Sequence, residues 1–227
     1  MIGKKGDFSN RQLPKRRKEG AVMEALAKES EYTPEQYLAL ERKAECKSEY
    51  INGRIFAMAG ASRQHNQITF NIAGELRIQL KGRACIAYSN DMRVKVPRTA
   101  FYSYPDVVAT CNEPKFEDSF VDTLLNPAVI IEVLSGSTEA YDRGEKFAHY
   151  RRLSSLEEYI LVAQHRICVE HYVRQGERWI LTEISELDGI IPLDSIGCTL
   201  PLKEIYDKVE FVAQGGLGRP ANGLQPI

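Results

Sequence analysis

The chain has 227 residues, of which 43% are hydrophobic and 27% charged, and its formal net charge is −1. This composition is that of an ordinary globular domain, long enough to bury a sizeable core. The near-neutral charge excludes a chain that is basic overall and coats nucleic acid, so any affinity for DNA has to come from a local patch. No apolar run approaches the roughly 20 residues that span a bilayer, and no apolar stretch follows the basic N-terminus. These absences predict a cytoplasmic protein.

Three segments are predicted: a disordered basic tail (1–30), one folded domain (31–210) and a flexible Gly- and Pro-containing tail (211–227). The first twenty residues carry seven Lys and Arg against one Asp and one Glu. Such a segment buries too little apolar surface to order itself. It is either a solvated tail or an arm that adds contacts to phosphates.

The first predicted helix begins after Thr33, because Thr33-Pro34-Glu35-Gln36 has the form of a capping box with proline at the first helical position. This helix is expected to reach about Lys43. Two short strands should follow, Glu49-Tyr50-Ile51 and Arg54-Ile55-Phe56. They flank Asn52-Gly53, the strongest short signal for a β-hairpin.

Ser62 is the expected N-cap of a second helix, and Gly82 marks the position where that helix should stop. One face of the helix is apolar, with a hydrophobic side chain at every fourth position: Ile68, Ile72, Leu76 and Leu80. Strands are expected from Cys85 onward. In the segment 92–96, apolar residues alternate with Arg93 and Lys95, which predicts a strand with one face in water.

Two later strands look more buried, and each contains one carboxylate. The first runs from Pro105 to Ala109 and the second from Ala128 to Leu134. A helix is expected over 138–152, an antiparallel meander over 159–163, 167–173 and 179–184, and a short helix after residue 201. Together these elements predict one α+β domain in which helices flank a central mixed sheet.

The five cysteines are widely spaced, and no two lie within three residues of each other. The spacing therefore offers no CxxC pair for zinc or thiol exchange and predicts reduced thiols. The residues concerned are Cys46, Cys85, Cys111, Cys168 and Cys198.

Glu132 is the most informative residue, because an ionised carboxylate inside an apolar strand is costly unless it is paired or bound to metal. The alternative is that it reaches solvent at the strand end or pairs with an arginine. If Asp106 lies on a neighbouring strand, the two carboxylates come within a few ångströms of each other. One of them must then hold a proton, or a cation must bind between them. Two carboxylates, a main-chain carbonyl and waters suit Mg²⁺ or Mn²⁺.

Six segments of the chain stand in the order found in one known family: 32–38, 49–53, 62–66, 104–107, 131–135 and 141–146. With these segments the chain resembles the Uma2 family of restriction-endonuclease-like proteins, in the PD-(D/E)xK nuclease superfamily. The resemblance runs from about Tyr32 to Tyr206. It implies a restriction-endonuclease-like α+β fold and a Mg²⁺-dependent, or Mn²⁺-dependent, nuclease site.

The resemblance also implies roles for single residues. Asp106 would be the aspartate of the "PD" element and Glu132 the acidic residue of "(D/E)xK". Both would hold the metal together with the main-chain carbonyl of Val133. Glu49 would add a further carboxylate ligand, either to the same metal ion or to a second metal ion.

The lysine position of the motif is occupied by Leu134, which is a departure from the superfamily pattern. The resemblance therefore implies that Lys146, on the following helix, supplies the catalytic cation. The alternative is that Lys146 is a surface partner of Asp142 at the i,i+4 spacing. Tyr150, one turn later, either borders the same cleft or belongs to the core.

The resemblance makes His65 a candidate for substrate contact at the rim of the site, with Arg63 and Arg143 as the other expected contacts, although a lone histidine at a helix start is more often a surface or capping residue. Further basic residues near the predicted site are Arg93, Lys95, Arg151 and Arg152. Phosphate contacts from this set would make DNA binding sensitive to salt. The alternative is an ordinary solvated surface.

The resemblance, together with the two strand carboxylates, thus predicts a metal-dependent endonuclease that hydrolyses phosphodiester bonds of DNA. A homodimer is a further expectation, since many nucleases cut two strands by pairing two sites. A catalytically inactive nuclease-fold module that binds DNA or a protein is the alternative, because fold does not fix function. A third class is a structural or regulatory partner in a mobile-element or toxin-like system.

Overall fold

The computed structural model describes residues 31–97, 99–136 and 138–211. The predicted basic tail, and all but the first residue of the predicted C-terminal tail, lie outside these ranges. Within them, no helix is both long enough and apolar enough to cross a membrane.

The first helix, α1 (Pro34–Glu41), starts with the predicted capping box. The hydroxyl of Thr33 accepts a hydrogen bond from the backbone N–H of Gln36, and the Gln36 side chain accepts one from the N–H of Thr33. These contacts satisfy two of the backbone donors that a helix start leaves open. The predicted helix start is therefore confirmed.

The predicted hairpin is formed by β1 (Ser48–Ile51) and β2 (Arg54–Ala57). Asn52 and Gly53 both have positive φ, 49° and 92°. A two-residue hairpin turn requires this left-handed pair, which glycine and asparagine tolerate best.

We expect Gly53→Ala to lower the free energy of unfolding by about 1–2 kcal/mol, because a Cβ is disfavoured at positive φ. The added Cβ would also lie 3.2 Å from the Cβ of Glu31. Gly60→Ala is the matched control, since Gly60 has no positive φ and a Cβ there meets open space. Urea unfolding of both variants measures the difference; equal losses would show that the turn conformation is not the cause.

Three further short strands follow: β4 (Arg93–Val96), β5 (Phe101–Ser103) and β7 (Thr123–Leu124). With the hairpin they form a five-stranded sheet in the order β2-β1-β5-β4-β7.

The expectation that one face of β4 lies in water is wrong. Arg93 is 2% exposed and donates hydrogen bonds to the hydroxyls of Thr123 and Tyr104, with Asp122 as its ion-pair partner. Lys95 is half-buried against Glu117. Neither side chain is available as a surface contact for DNA in this conformation.

Six strands form a second sheet: β3 (Ile86–Ser89), β6 (Val107–Thr110), β8 (Val129–Leu134), β9 (Glu158–Ala163), β10 (Val169–Gln175) and β11 (Arg178–Ile184). Their order is β11-β10-β9-β8-β6-β3, and β8 is antiparallel to β6 and parallel to β9. All six residues of β8 are buried. The strands β9, β10 and β11 form the predicted antiparallel meander. The central sheet that was predicted as one is divided in two.

One face of the six-stranded sheet is covered by α2 (Arg63–Gln79), which Ser62 caps as predicted. Three residues of its predicted apolar face, Ile68, Ile72 and Leu76, have no exposed surface. A hairpin and a short helix close this core: β12 (Ile190–Leu193), β13 (Cys198–Pro201) and α4 (Leu202–Ile205).

The other face of the six-stranded sheet packs against the five-stranded sheet and against a helix between β8 and β9. This helix, α3, consists of Glu139–Tyr141, a π-helical turn Asp142–Lys146, and Phe147–Tyr150. A π turn inside an α-helix is rare and often marks a functional site. The candidate site lies where α3 and the two sheets meet.

The prediction of reduced thiols is wrong for two of the five cysteines, because Cys85 and Cys111 form a disulfide. Ile86 and Thr110 are paired across the β3–β6 ladder, so the two cysteines follow as the next pair in register. The other three cysteines are free thiols.

Candidate active site

The two acidic strand residues share one face of the six-stranded sheet. Val107 pairs with Ile131 in the β6–β8 ladder, so the preceding residue, Asp106, falls opposite Glu132. Side chains directly opposite each other on neighbouring strands point to the same face. Oδ2 of Asp106 accepts a hydrogen bond of 2.7 Å from the backbone N–H of Val133, which fixes the carboxylate at the end of its strand.

Lys146 lies among three carboxylates. Its Nζ is 2.8 Å from Oε1 of Glu132, 3.2 Å from Oε1 of Glu49 and 3.5 Å from Oδ1 of Asp142. The i,i+4 pair with Asp142 therefore exists, but both side chains are buried rather than on the surface. Lys146, which the resemblance implies as the catalytic cation in place of the usual lysine, thus contacts Glu132.

The cluster carries an excess of negative charge. Four carboxylates, those of Asp106, Glu132, Glu49 and Asp142, stand against the single ammonium of Lys146. Burial raises the pKa of the Glu132 carboxyl well above its usual range, and the neighbouring Asp142 and Asp106 carboxylates raise it further. Burial likewise raises the pKa of Asp142. For Lys146, burial alone would lower the pKa, but the surrounding anionic groups outweigh it and raise it well above the ordinary value.

Excess buried charge of one sign is relieved by bound protons or by a bound cation. The raised carboxyl pKa values mean that protons can take this role when no cation is present. A divalent ion would compete for the same oxygens.

Hydroxyl groups complete the buried network around the carboxylates. The phenol of Tyr150 donates to Oε1 of Glu132 at 3.1 Å, so the 2.6 Å contact with Ser103 leaves the serine as donor to the tyrosine. Tyr141 donates to Oε2 of Glu49 at 3.2 Å. Tyr150 therefore belongs to the core and also borders the site, as both readings of its spacing suggested.

Asp142, Tyr141 and Ser103 were not identified as site residues from the sequence. Asp142 stands one helical turn before Lys146, a spacing that usually indicates a surface ion pair. Its place in the resembling segment 141–146 was the only available signal. Ser103 lies on a three-residue strand that the sequence gives no means to detect.

His65 lies beside Asp106, on the first turn of α2. Its Nε2 is 3.2 Å from Oδ2 of Asp106, with side-chain exposures of 15% and 17%. Arg63, two residues earlier, points to solvent and forms an exposed ion pair with Glu210. His65 and Asp106 are thus more exposed than Lys146 and the carboxylates around it, which are deeply buried.

Arg143 is not free to contact a phosphate in this conformation. It forms ion pairs with Glu139 and with Glu170, and the latter carboxylate also accepts from the phenol of Tyr172. Its role as a substrate ligand stays a prediction that requires these pairs to open.

The oxygen atoms of Asp106 and Glu132 are the candidate ligands for a divalent ion. No group of three or more His, Cys, Asp or Glu side chains in the described ranges is arranged to hold a metal. However, no described group donates a hydrogen bond to Oδ1 of Asp106 or to Oε2 of Glu132. Mg²⁺ keeps several waters and commonly binds through one or two carboxylates. The opposed pair therefore fits a hard divalent ion that completes its shell with water.

A mixed α+β fold with an acidic pair on adjacent strands and a buried lysine beside it defines a nuclease-like protein of the restriction-endonuclease class. Residues 34–203 match the model of the Uma2 family, described as "Putative restriction endonuclease". The chain belongs to the Uma2 family.

Two relatives come from Synechocystis sp. (strain ATCC 27184 / PCC 6803 / Kazusa). Uncharacterized protein sll1609 is 41% identical over 153 residues, which are 67% of this chain and 86% of that protein. Uncharacterized protein slr1290 is 33% identical over 180 residues, 79% of this chain and 93% of that protein.

A solved structure has a similar fold. It is described as a putative nuclease belonging to DUF820 from Anabaena variabilis ATCC 29413. Its TM-score is 0.64 at 20% sequence identity, covering 77% of this chain and 97% of that chain. At this identity the likeness bears on the fold, and it agrees with the predicted restriction-endonuclease-like α+β class.

Proposed function

We propose that the protein is a Mg²⁺- or Mn²⁺-dependent endonuclease that hydrolyses phosphodiester bonds of DNA. The observation that carries the proposal is the buried excess of carboxylates around Asp106 and Glu132, in which Asp106 and its neighbour His65 are more exposed than the groups around Lys146. Family membership supports the nuclease class. The substrate and the metal are inferred from the chemistry of the site.

Asp106 and Glu132 would hold the ion, with the carbonyl of Val133 and waters completing its shell and Glu49 as a further ligand. A bound divalent ion supplies an acidified water and neutralises charge on the phosphate. Lys146 keeps its proton on Nζ and offers a fixed positive charge toward the reacting phosphate. Tyr150, held by Ser103, keeps Oε1 of Glu132 occupied, so that Oε2 is the oxygen left for the ion.

DNA would approach the rim formed by His65 and Arg63, with Arg143 joining if its ion pairs open. A second copy of the chain is the proposed protein partner. The exposed Phe70 and Ile78, 74% and 72% accessible on α2, support a self-association surface. Light scattering on the purified chain tests this, and a monomer at high concentration would contradict it.

The wild-type protein should convert supercoiled plasmid DNA to nicked and linear forms when Mg²⁺ or Mn²⁺ is added. Both ions should also raise its melting temperature, because a ligand that binds only the folded state stabilises it. Adding EDTA should abolish both effects. A folded protein that shows neither effect with either ion would refute the proposal.

One observation favours the second candidate function, an inactive nuclease-fold module that binds DNA or a protein. The ammonium of Lys146 is already surrounded by three carboxylates, so it is not free for a phosphate unless one of them is taken up by an ion. The same assay separates the two candidates. Retention of DNA in a gel shift without cleavage under any metal would favour the binding module.

A further inference from the structure

Asp106 is contacted by His65, and a chain of polar side chains through Ser62 and Gln164 lies behind this histidine. The backbone N–H of Val133 and the Nε2 of His65 both approach the same oxygen, Oδ2 of Asp106, at 2.7 and 3.2 Å. The Val133 N–H thus holds this oxygen by a hydrogen bond, and His65 lies within ion-pair distance of the same oxygen. The other oxygen, Oδ1, receives no hydrogen bond from any described residue.

The backbone of His65 is linked through Ser62 to Gln164, the residue that follows the C-terminal end of β9. Ser62 Oγ accepts a hydrogen bond of 3.1 Å from the N–H of His65 and donates one of 2.5 Å to Oε1 of Gln164. Gln164 is 4% exposed and follows the last residue of β9. This contact joins residues 102 positions apart and fixes the start of α2 beside the sheet.

We propose that His65 is a positioning residue that orients Asp106, and that the Ser62–Gln164 contact holds His65 in register for this task. With Oδ2 engaged, Oδ1 is the oxygen presented to an incoming divalent ion. Partners of this kind, which orient a ligand without touching the metal, commonly affect metal affinity by about 10- to 100-fold. The inference rests on the proposed function, because it assumes that Asp106 is a metal ligand.

Titration calorimetry of the full chain with Mn²⁺ tests the proposal without any activity assay. His65→Ala should raise the Kd for Mn²⁺ by about tenfold or more. His65→Gln should recover most of the affinity, because its amide nitrogen can take the place of Nε2. Ser62→Ala, which releases the start of α2, should give a smaller loss than His65→Ala.

Gly74→Ala is the matched control, since Gly74 lies on the same helix and a Cβ there meets open space, and its Kd should equal that of wild type. Circular dichroism verifies that each variant is folded, and the electron paramagnetic resonance spectrum of bound Mn²⁺ provides a second readout. The spectrum should change in His65→Ala and return toward the wild-type form in His65→Gln.

Three outcomes would overturn the inference in distinguishable ways. If His65→Ala binds Mn²⁺ as tightly as wild type, His65 does not position the ligand. If His65→Gln is as weak as His65→Ala, the contact to Asp106 is not the reason for the loss. If the folded wild-type chain binds no Mn²⁺, the proposed function fails first and the positioning role fails with it.

Discussion

Asp106→Asn and Glu132→Gln should each abolish cleavage of plasmid DNA. Metal ions contribute several kcal/mol to a hydrolytic transition state, and each 1.36 kcal/mol is tenfold in rate, so we expect a loss of at least about 10³-fold. Both replacements keep the size of the side chain and remove only the charge. The stabilisation by Mg²⁺ or Mn²⁺, measured as a rise in melting temperature, should disappear in the same variants.

Without metal, neither replacement should destabilise the fold strongly, because each removes one negative charge from a cluster that has too many. Glu139→Gln is the matched control, since Glu139 pairs with Arg143 outside the carboxylate cluster. This variant should keep the response to metal. Retained cleavage in Asp106→Asn or Glu132→Gln would mean that the two opposed carboxylates are not the metal ligands, and the central argument for the site would fail.

The local signals of the sequence were sufficient for the elements that build the site. The capping box at Thr33, the Asn52-Gly53 turn and the Ser62 cap are each decided by a few adjacent residues, and all three are confirmed. The apolar run around Glu132 identified the buried central strand in the same way. Each of these features is decided by residues that lie close together in the sequence.

Features that depend on distant partners could not be predicted. Arg93 looked like a wet strand residue because its partner Asp122 lies 29 positions away, and the burial of the pair is set by how β4 and β7 meet. The Cys85–Cys111 disulfide depends on the register of β3 against β6. Division of the strands into two sheets depends on the very short β5 and β7, which carry too few residues for a periodic pattern.

The chemistry of the site was predicted in part. Register explains why Asp106 and Glu132 meet, and the resembling segments placed Lys146 and Glu49 with them. What sequence spacing could not give is the π turn Asp142–Lys146. This turn lies between two α-helical segments, and both Asp142 and Lys146 are buried in it. The pair at this spacing, which usually indicates a surface contact, is therefore part of the buried cluster.

Lys146→Met is the variant with the largest expected effect on stability. Removing one partner of a buried ion pair leaves an uncompensated charge and typically costs about 3–5 kcal/mol. In this site the loss leaves Glu132, Glu49 and Asp142 without their shared cation. We therefore expect the free energy of unfolding at neutral pH, without metal, to fall by about 3 kcal/mol.

The loss should shrink as the pH is lowered. Burial raises the pKa of the Glu132 carboxyl in the folded state above its ordinary value of 4.5. A group of this kind favours the folded state at pH values below its unfolded pKa, and the benefit is lost as the pH rises through the folded pKa. The free energy of unfolding of Lys146→Met, measured in urea at pH values from 4.5 upward, should therefore decrease with rising pH more steeply than that of wild type.

A double-mutant cycle separates the charge effect from the loss of packing around the lysine stem. Glu132 is the carboxylate nearest to Nζ of Lys146, and Lys146→Met leaves it without this cation. Glu132→Gln removes that charge, so the double variant Lys146→Met/Glu132→Gln should be more stable than Lys146→Met alone. Divalent ions should also restore stability to Lys146→Met, since they supply the missing positive charge, and yet cleavage should stay absent if Lys146 acts on the phosphate. Full cleavage by the folded, metal-bound variant would remove Lys146 from the reaction and leave it as the counter-ion of the carboxylates.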